Sequence, residues 1–127
     1  MKLPVCVEKR MDKYCSVIEK YSPKLAKLYR NCYPNTLETA TEFMPDGSVF
    51  VLTGDIPAMW LRDSTAEVSH YIPLAKDNDD IREILKGVIK RQRMYISLEP
   101  YANAYKKEPQ PRLFFMICNK FSLRSNP

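Results

Sequence analysis

A single histidine, His70, and four cysteines without one Cys-x-x-Cys pair leave this chain no ligand spacing for a structural zinc site. No metal is therefore expected. No stretch approaches the roughly 20 apolar residues that cross a bilayer, so no membrane partner is expected. The N-terminus carries Lys2, Glu8, Lys9 and Arg10 without an apolar run. It shows no secretory signal, and a cytoplasmic location is the default expectation. No internal repeat is visible. The net charge of +5 comes from lysines and arginines spread along the chain. Their densest cluster, Lys86, Lys90, Arg91 and Arg93, has no nucleic-acid-binding motif beside it and reads as a solvated helix face. No nucleic-acid partner is expected.

What is present is the composition of an ordinary folded domain. Hydrophobic residues make up 45% and charged residues 28%, which suits one globular unit rather than a disordered tail. Met11, Tyr14, Cys15 and Ile18 recur at helical spacing and predict a first helix ending before Ser22. Ser22 followed by Pro23 predicts a capped start for a second helix, with Leu25, Leu28, Tyr29 and Cys32 on one face. Cys15 and Cys32 read as small buried hydrophobes. Pro45-Asp46-Gly47 predicts a turn joining two short strands, 41–44 and 48–52. A third helix is expected over about 64–71. A fourth begins behind Asp77, Asp79 and Asp80 and carries a stripe of Ile81, Ile84, Leu85, Val88, Ile89, Tyr95 and Ile96. Gly87 inside that helix suggests a close helix contact, and Pro100 stops it.

The richest stretch is Gly54-Asp55-Ile56-Pro57-Ala58-Met59-Trp60-Leu61-Arg62-Asp63-Ser64. It holds two acids, an arginine and the only tryptophan. Ser64 with Glu67 three residues later matches a capping box, so the stretch reads as a loop entering a helix N-terminus. An aromatic plane, a forked guanidinium and acceptor carboxylates suit a polyhydroxylated ring: the aromatic stacks on C–H groups while the charges pair with hydroxyls. A plainer account stands beside this one. Trp60 is equally suited to a core, and Asp63 to the positive end of the helix dipole with Arg62 as its surface partner.

The whole string closely resembles glycoside hydrolase family 125, the metal-independent exo-α-1,6-mannosidases. So do Tyr33-Pro34-Asn35-Thr36-Leu37-Glu38-Thr39, Tyr71-Ile72-Pro73-Leu74-Ala75, Gly87-Val88-Ile89-Lys90-Arg91-Gln92 and Pro100-Tyr101-Ala102-Asn103-Ala104-Tyr105. The resemblance runs from about Lys9 to Pro109. Trp60-Leu61-Arg62-Asp63 alone is similar to a Trp-x-Arg-Asp element of other (α/α)-barrel glycosidases.

The family implies an (α/α)6 barrel, an inverting reaction, no cofactor and a mannose-terminated α-mannoside as partner. Twelve helices of about three turns exceed 127 residues. The expectation is therefore a mostly α chain, a partial (α/α)6 barrel with one short β-hairpin. Residues 1–109 would form the N-terminal portion of the hydrolase, with the Ile81–Ile96 stripe left uncovered. Residues 110–127, with the apolar run 113–118, read as a tail foreign to the family.

By the same resemblance Asp55, Trp60, Arg62 and Asp63 would hold the non-reducing-end mannose, joined by Tyr101 and Asn103. Those last two also suit a plain helix-ending turn. The family's catalytic aspartic acid and glutamate base lie further along the chain, so no catalytic residue is assigned. His70 reads as structural. The alternatives are a non-catalytic carbohydrate-binding fragment, or a piece of another (α/α)6 barrel glycosidase.

Overall fold

A computed structural model describes residues 3–54 and 56–108. The 110–127 tail and Asp55 lie outside the described residues. The chain is mostly helical, with helices α1 (Val5–Ile18), α2 (Pro23–Cys32), α3 (Leu61–Ser69) and α4 (Asp79–Leu98). Among the described residues four short strands form two antiparallel pairs: β1 (Thr41–Phe43) with β2 (Val49–Val51), and β3 (Met59–Trp60) with β4 (Ala104–Tyr105).

The first two helices follow from their punctuation. The Ser22 hydroxyl accepts from the Leu25 N–H at 3.3 Å, and Pro23 takes the first helical position, where its missing N–H is no loss. The Pro45-Asp46-Gly47 turn forms as expected. Gly47 has φ +74°, and the Asp46 carboxylate accepts from the Ser48 N–H and hydroxyl at 2.9 and 2.6 Å. Those bonds hold the Asp46 carboxyl below the usual carboxylate range.

The core gathers β2, α4 and the segments between them. Val49, Phe50 and Val51 are all buried, and they pack on α4 through Ile81, Ile84, Val88 and Tyr95. The expectation of an uncovered α4 stripe is thereby corrected: strand β2 covers its centre, while Ile89 and Ile96, off that line, stay exposed. The close approach at Gly87 is to Val49 of β2 rather than to another helix.

The apolar face of α2 is a second correction. Only Ala26 is buried there, while Leu25, Leu28 and Cys32 are exposed. Tyr29 of that face packs on the Tyr14 and Tyr33 rings, and Leu25, Leu28 and Cys32 beside it stay open. Cys15 is buried as expected, its thiol directed at the Ala26 carbonyl.

Arg91 departs from the solvated face assigned to it. It is 4% exposed, with its guanidinium 5.2 Å over the Tyr95 ring, donating to the Lys107 carbonyl at 3.2 Å and lying 3.9 Å from the Asp46 carboxylate. Lys86, Lys90 and Arg93 do lie on the exposed face. Among the described residues no helix is long and apolar enough to cross a membrane.

Buried tyrosines make this core sensitive to base. Tyr95 is fully buried, stacks on Tyr105 at 4.4 Å, and donates its hydroxyl to the Lys106 carbonyl at 2.9 Å. Burial pushes its pKa up to about 12 from the ordinary 10.0, against a smaller opposing pull from Arg91; Tyr71 is raised likewise. Below pH 10 the folded and unfolded hydroxyls are both neutral, and the full stability is present. Between pH 10 and 12 the unfolded hydroxyl ionises first, so stability falls as pH rises. Urea midpoints should therefore drop steeply above pH 10, and Tyr95→Phe should flatten that slope. An unchanged slope in the variant would refute the assignment.

Candidate functional site

The Gly54–Ser64 segment is closed at its base by Thr53, which is 4% exposed. The Thr53 N–H and hydroxyl both donate to the Ala58 carbonyl at 3.1 Å, and the hydroxyl accepts from the Trp60 N–H at 2.9 Å. Met59 is fully buried and anchors the loop in the core. Trp60 is half-buried and pairs with Ala104, while the Leu61 N–H donates to the Asn103 carbonyl at 3.0 Å. This second strand pair was not expected from the sequence. It brings the Trp60-Leu61-Arg62-Asp63 string against the Pro100–Tyr105 segment.

The pairing also moves the helix start. Helix α3 begins at Leu61, not near Ser64, and Trp60 is its extended N-terminal flank with no side-chain cap. Ser64 is no capping residue: its hydroxyl donates back to the Leu61 carbonyl at 3.1 Å, as Thr65 does at 2.9 Å. The capping-box expectation is corrected because the strand partner at Ala104, far along the chain, fixes where the extended backbone ends. Arg62 and Asp63 thus occupy the first turn of a helix rather than a loop.

Their side chains pair. Arg62 Nε donates to Asp63 Oδ1 at 3.1 Å, with the arginine 93% and the aspartate 43% exposed. An acid in a first helical turn also complements the dipole, so the plainer role of Asp63 is realised together with its availability to a ligand. Tyr101 is almost fully exposed, and the Asn103 backbone carbonyl is tied to Leu61. Glu67, one turn beyond Asp63, is raised above the usual carboxylate range by partial burial and then by the Asp63 charge.

One side chain missed in the sequence is Gln92. From α4 its amide nitrogen reaches the Leu61 carbonyl at 3.1 Å, Ser64 Oγ at 2.9 Å and Thr65 Oγ1 at 2.9 Å. A polar residue three positions before the buried Tyr95 was the available signal.

His70 lies against the Tyr33 and Tyr71 rings at 5.3 and 3.8 Å between centroids, and its Nε2 is 3.3 Å from the Tyr33 carbonyl. The Tyr71 hydroxyl donates to that same carbonyl. Burial lowers the pKa of His70, as suits a structural imidazole. An open groove on α4, lined by Lys86, Ile89, Lys90, Arg93, Met94 and Ser97, is a separate feature and includes none of the candidate sugar residues. Among the described residues no group of three or more metal-ligating side chains is found.

Comparison with known proteins places this scaffold among glycoside hydrolases. The chain belongs to the metal-independent alpha-mannosidase family GH125, whose sequence profile matches residues 22–115. The meiotically up-regulated gene 157 protein of Schizosaccharomyces pombe is 39% identical over 90 residues, which is 68% of this chain and 18% of that protein. A solved Streptococcus pneumoniae structure from work on metal-independent alpha mannosidases is a non-productive complex with alpha-1,6-mannobiose. It superposes with a TM-score of 0.74 at 41% identity, over 81% of this chain and 24% of that one. The chain thus spans about a quarter or less of the length of these relatives.

Proposed function

We propose that this chain supplies part of the non-reducing-end mannose site of an inverting exo-α-1,6-mannosidase. Asp55, Trp60, Arg62 and Asp63 hold the sugar, with Tyr101 and Asn103 beside them. The general acid and base come from other parts of the enzyme. The observation that carries this reading is the strand pair joining Trp60 to Ala104. It sets the paired Arg62 and Asp63 next to the Tyr101–Asn103 turn, in a chain 41% identical to a structure holding alpha-1,6-mannobiose. A carboxylate and a guanidinium side by side offer acceptors and donors to adjacent sugar hydroxyls, and the half-buried indole offers a face for the ring. Further helices packed on the exposed Leu25 and Leu28 of α2 would extend the segment toward an (α/α)6 barrel.

The test is an NMR titration of the chain with α-1,6-mannobiose. The Trp60 indole and the amides of Leu61–Ser64 should shift, with weak affinity. Asp63→Asn should weaken binding about tenfold or more, since hydrogen bonds to a charged group contribute about 1.5–3 kcal/mol. Shifts elsewhere, or an Asp63→Asn affinity equal to the original, would overturn the reading.

A further inference from the structure

Arg62 and Asp63 can serve a ligand only if the helical turn carrying them is held in one rotation. That turn has no side-chain cap at Trp60. On one side it is tied by the Leu61 N–H to the Asn103 carbonyl at 3.0 Å. On the other it is tied by Gln92, whose amide nitrogen lies 3.1 Å from the Leu61 carbonyl and 2.9 Å from both the Ser64 and Thr65 hydroxyl oxygens. Those three acceptors bracket Arg62 and Asp63 in sequence. The amide carries two protons, so three acceptors at these distances use its donor capacity fully. No other natural side chain of this length matches it. Glutamate sets an acceptor against the Leu61 carbonyl, methionine fills the space with no donor, and lysine brings a charge.

We propose that Gln92 is a positioning residue for the mannose site, fixing the first turn of α3 so that Arg62 and Asp63 present their charged groups in one direction. The inference rests on the mannose-site reading. Gln92 touches no sugar; it acts through the backbone and hydroxyls of α3. A residue that merely stabilised the fold would change the whole molecule together. A positioning residue changes the turn and the ligand affinity while leaving the centre of α4 as it was.

Two measurements on the full chain and on Gln92→Met separate these. The first is amide hydrogen exchange. Leu61, Thr65 and Ala66 should exchange at least tenfold faster in the variant, while Val88 and Tyr95 of α4 keep their rates. The second is affinity for α-1,6-mannobiose, which should fall at least fivefold. Unchanged exchange at Thr65 and Ala66 overturns the proposal, as does a uniform rise across all amides. Faster local exchange with unaltered affinity also overturns it. If the unsubstituted chain never binds mannobiose, the mannose-site reading fails and the sugar role of Gln92 fails with it. The exchange rates still decide independently whether Gln92 holds the turn.

Discussion

Gly87→Ala should lower the stability of this chain, although helix propensity alone assigns that change a gain of about 1 kcal/mol. A Cβ at position 87 would lie 2.5 Å from Val49 Cγ2, 3.1 Å from its Cβ and 3.2 Å from its backbone nitrogen. Rotating the Val49 side chain relieves only the first of these contacts. The backbone nitrogen cannot retreat freely, because Val49 is fully buried and paired with Phe43 across the hairpin. Overpacking of this kind costs about 1–3 kcal/mol and exceeds the propensity gain. Gly87→Val adds branching on the same side and should cost more, a large share of the 5–15 kcal/mol that typically separates folded from unfolded domains. Urea denaturation followed by circular dichroism gives the sign directly. A Gly87→Ala midpoint at or above the original would show that α4 and β2 are not in this tight contact. Val49→Ala should recover part of the loss in the double variant, since contacting residues couple.

The sequence revealed most where local chemistry settles the structure. Ser22-Pro23 starts α2, Pro45-Asp46-Gly47 makes the hairpin turn, and the α4 stripe is buried at Ile81, Ile84, Val88 and Tyr95. It misled where a distant partner decides. The Ser64–Glu67 pattern is a fair local signal for a helix start, but the pairing of Trp60 with Ala104 ends the extended segment earlier and makes Ser64 an interior residue. The charge of Arg91 points to solvent, yet the residue continues the buried series Ile84, Val88 and Tyr95 at helical spacing. Periodicity carried the right answer there, and the guanidinium stays buried because its neighbours supply an aromatic face and a carbonyl. Of the candidate sugar residues, Arg62 and Asp63 were legible as a neighbouring pair. Asn103 was legible as a candidate only through family resemblance, and its tie to Leu61 runs through its backbone carbonyl, which no side-chain pattern reveals.

The chain as written should release no mannose from α-1,6-mannobiose above a buffer control. An inverting glycosidase needs a carboxylic acid on the leaving oxygen and a carboxylate activating water from the opposite face of the ring, about 6.5–9.5 Å apart. Among the described residues, the carboxyls that α3 brings to the proposed site are Asp63 and Glu67. Glu67 carries the trait of a proton donor, a pKa raised by partial burial and by the Asp63 charge. The geometry nevertheless denies them the paired role. Four residues apart on α3, they share one helix face with Cβ atoms about 5–6 Å apart, so they approach a bound ring from the same side rather than flanking it. Asp63 is moreover engaged by Arg62 Nε at 3.1 Å, an arrangement suited to holding hydroxyls. Among the described residues of α3, a sugar held here would meet carboxyls on one side of its ring only. Product analysis by chromatography on the purified chain decides the matter, with Asp63→Asn and Glu67→Gln as companions. Turnover that either substitution abolishes would place a catalytic group on α3 and overturn the assignment of this segment as a binding element alone.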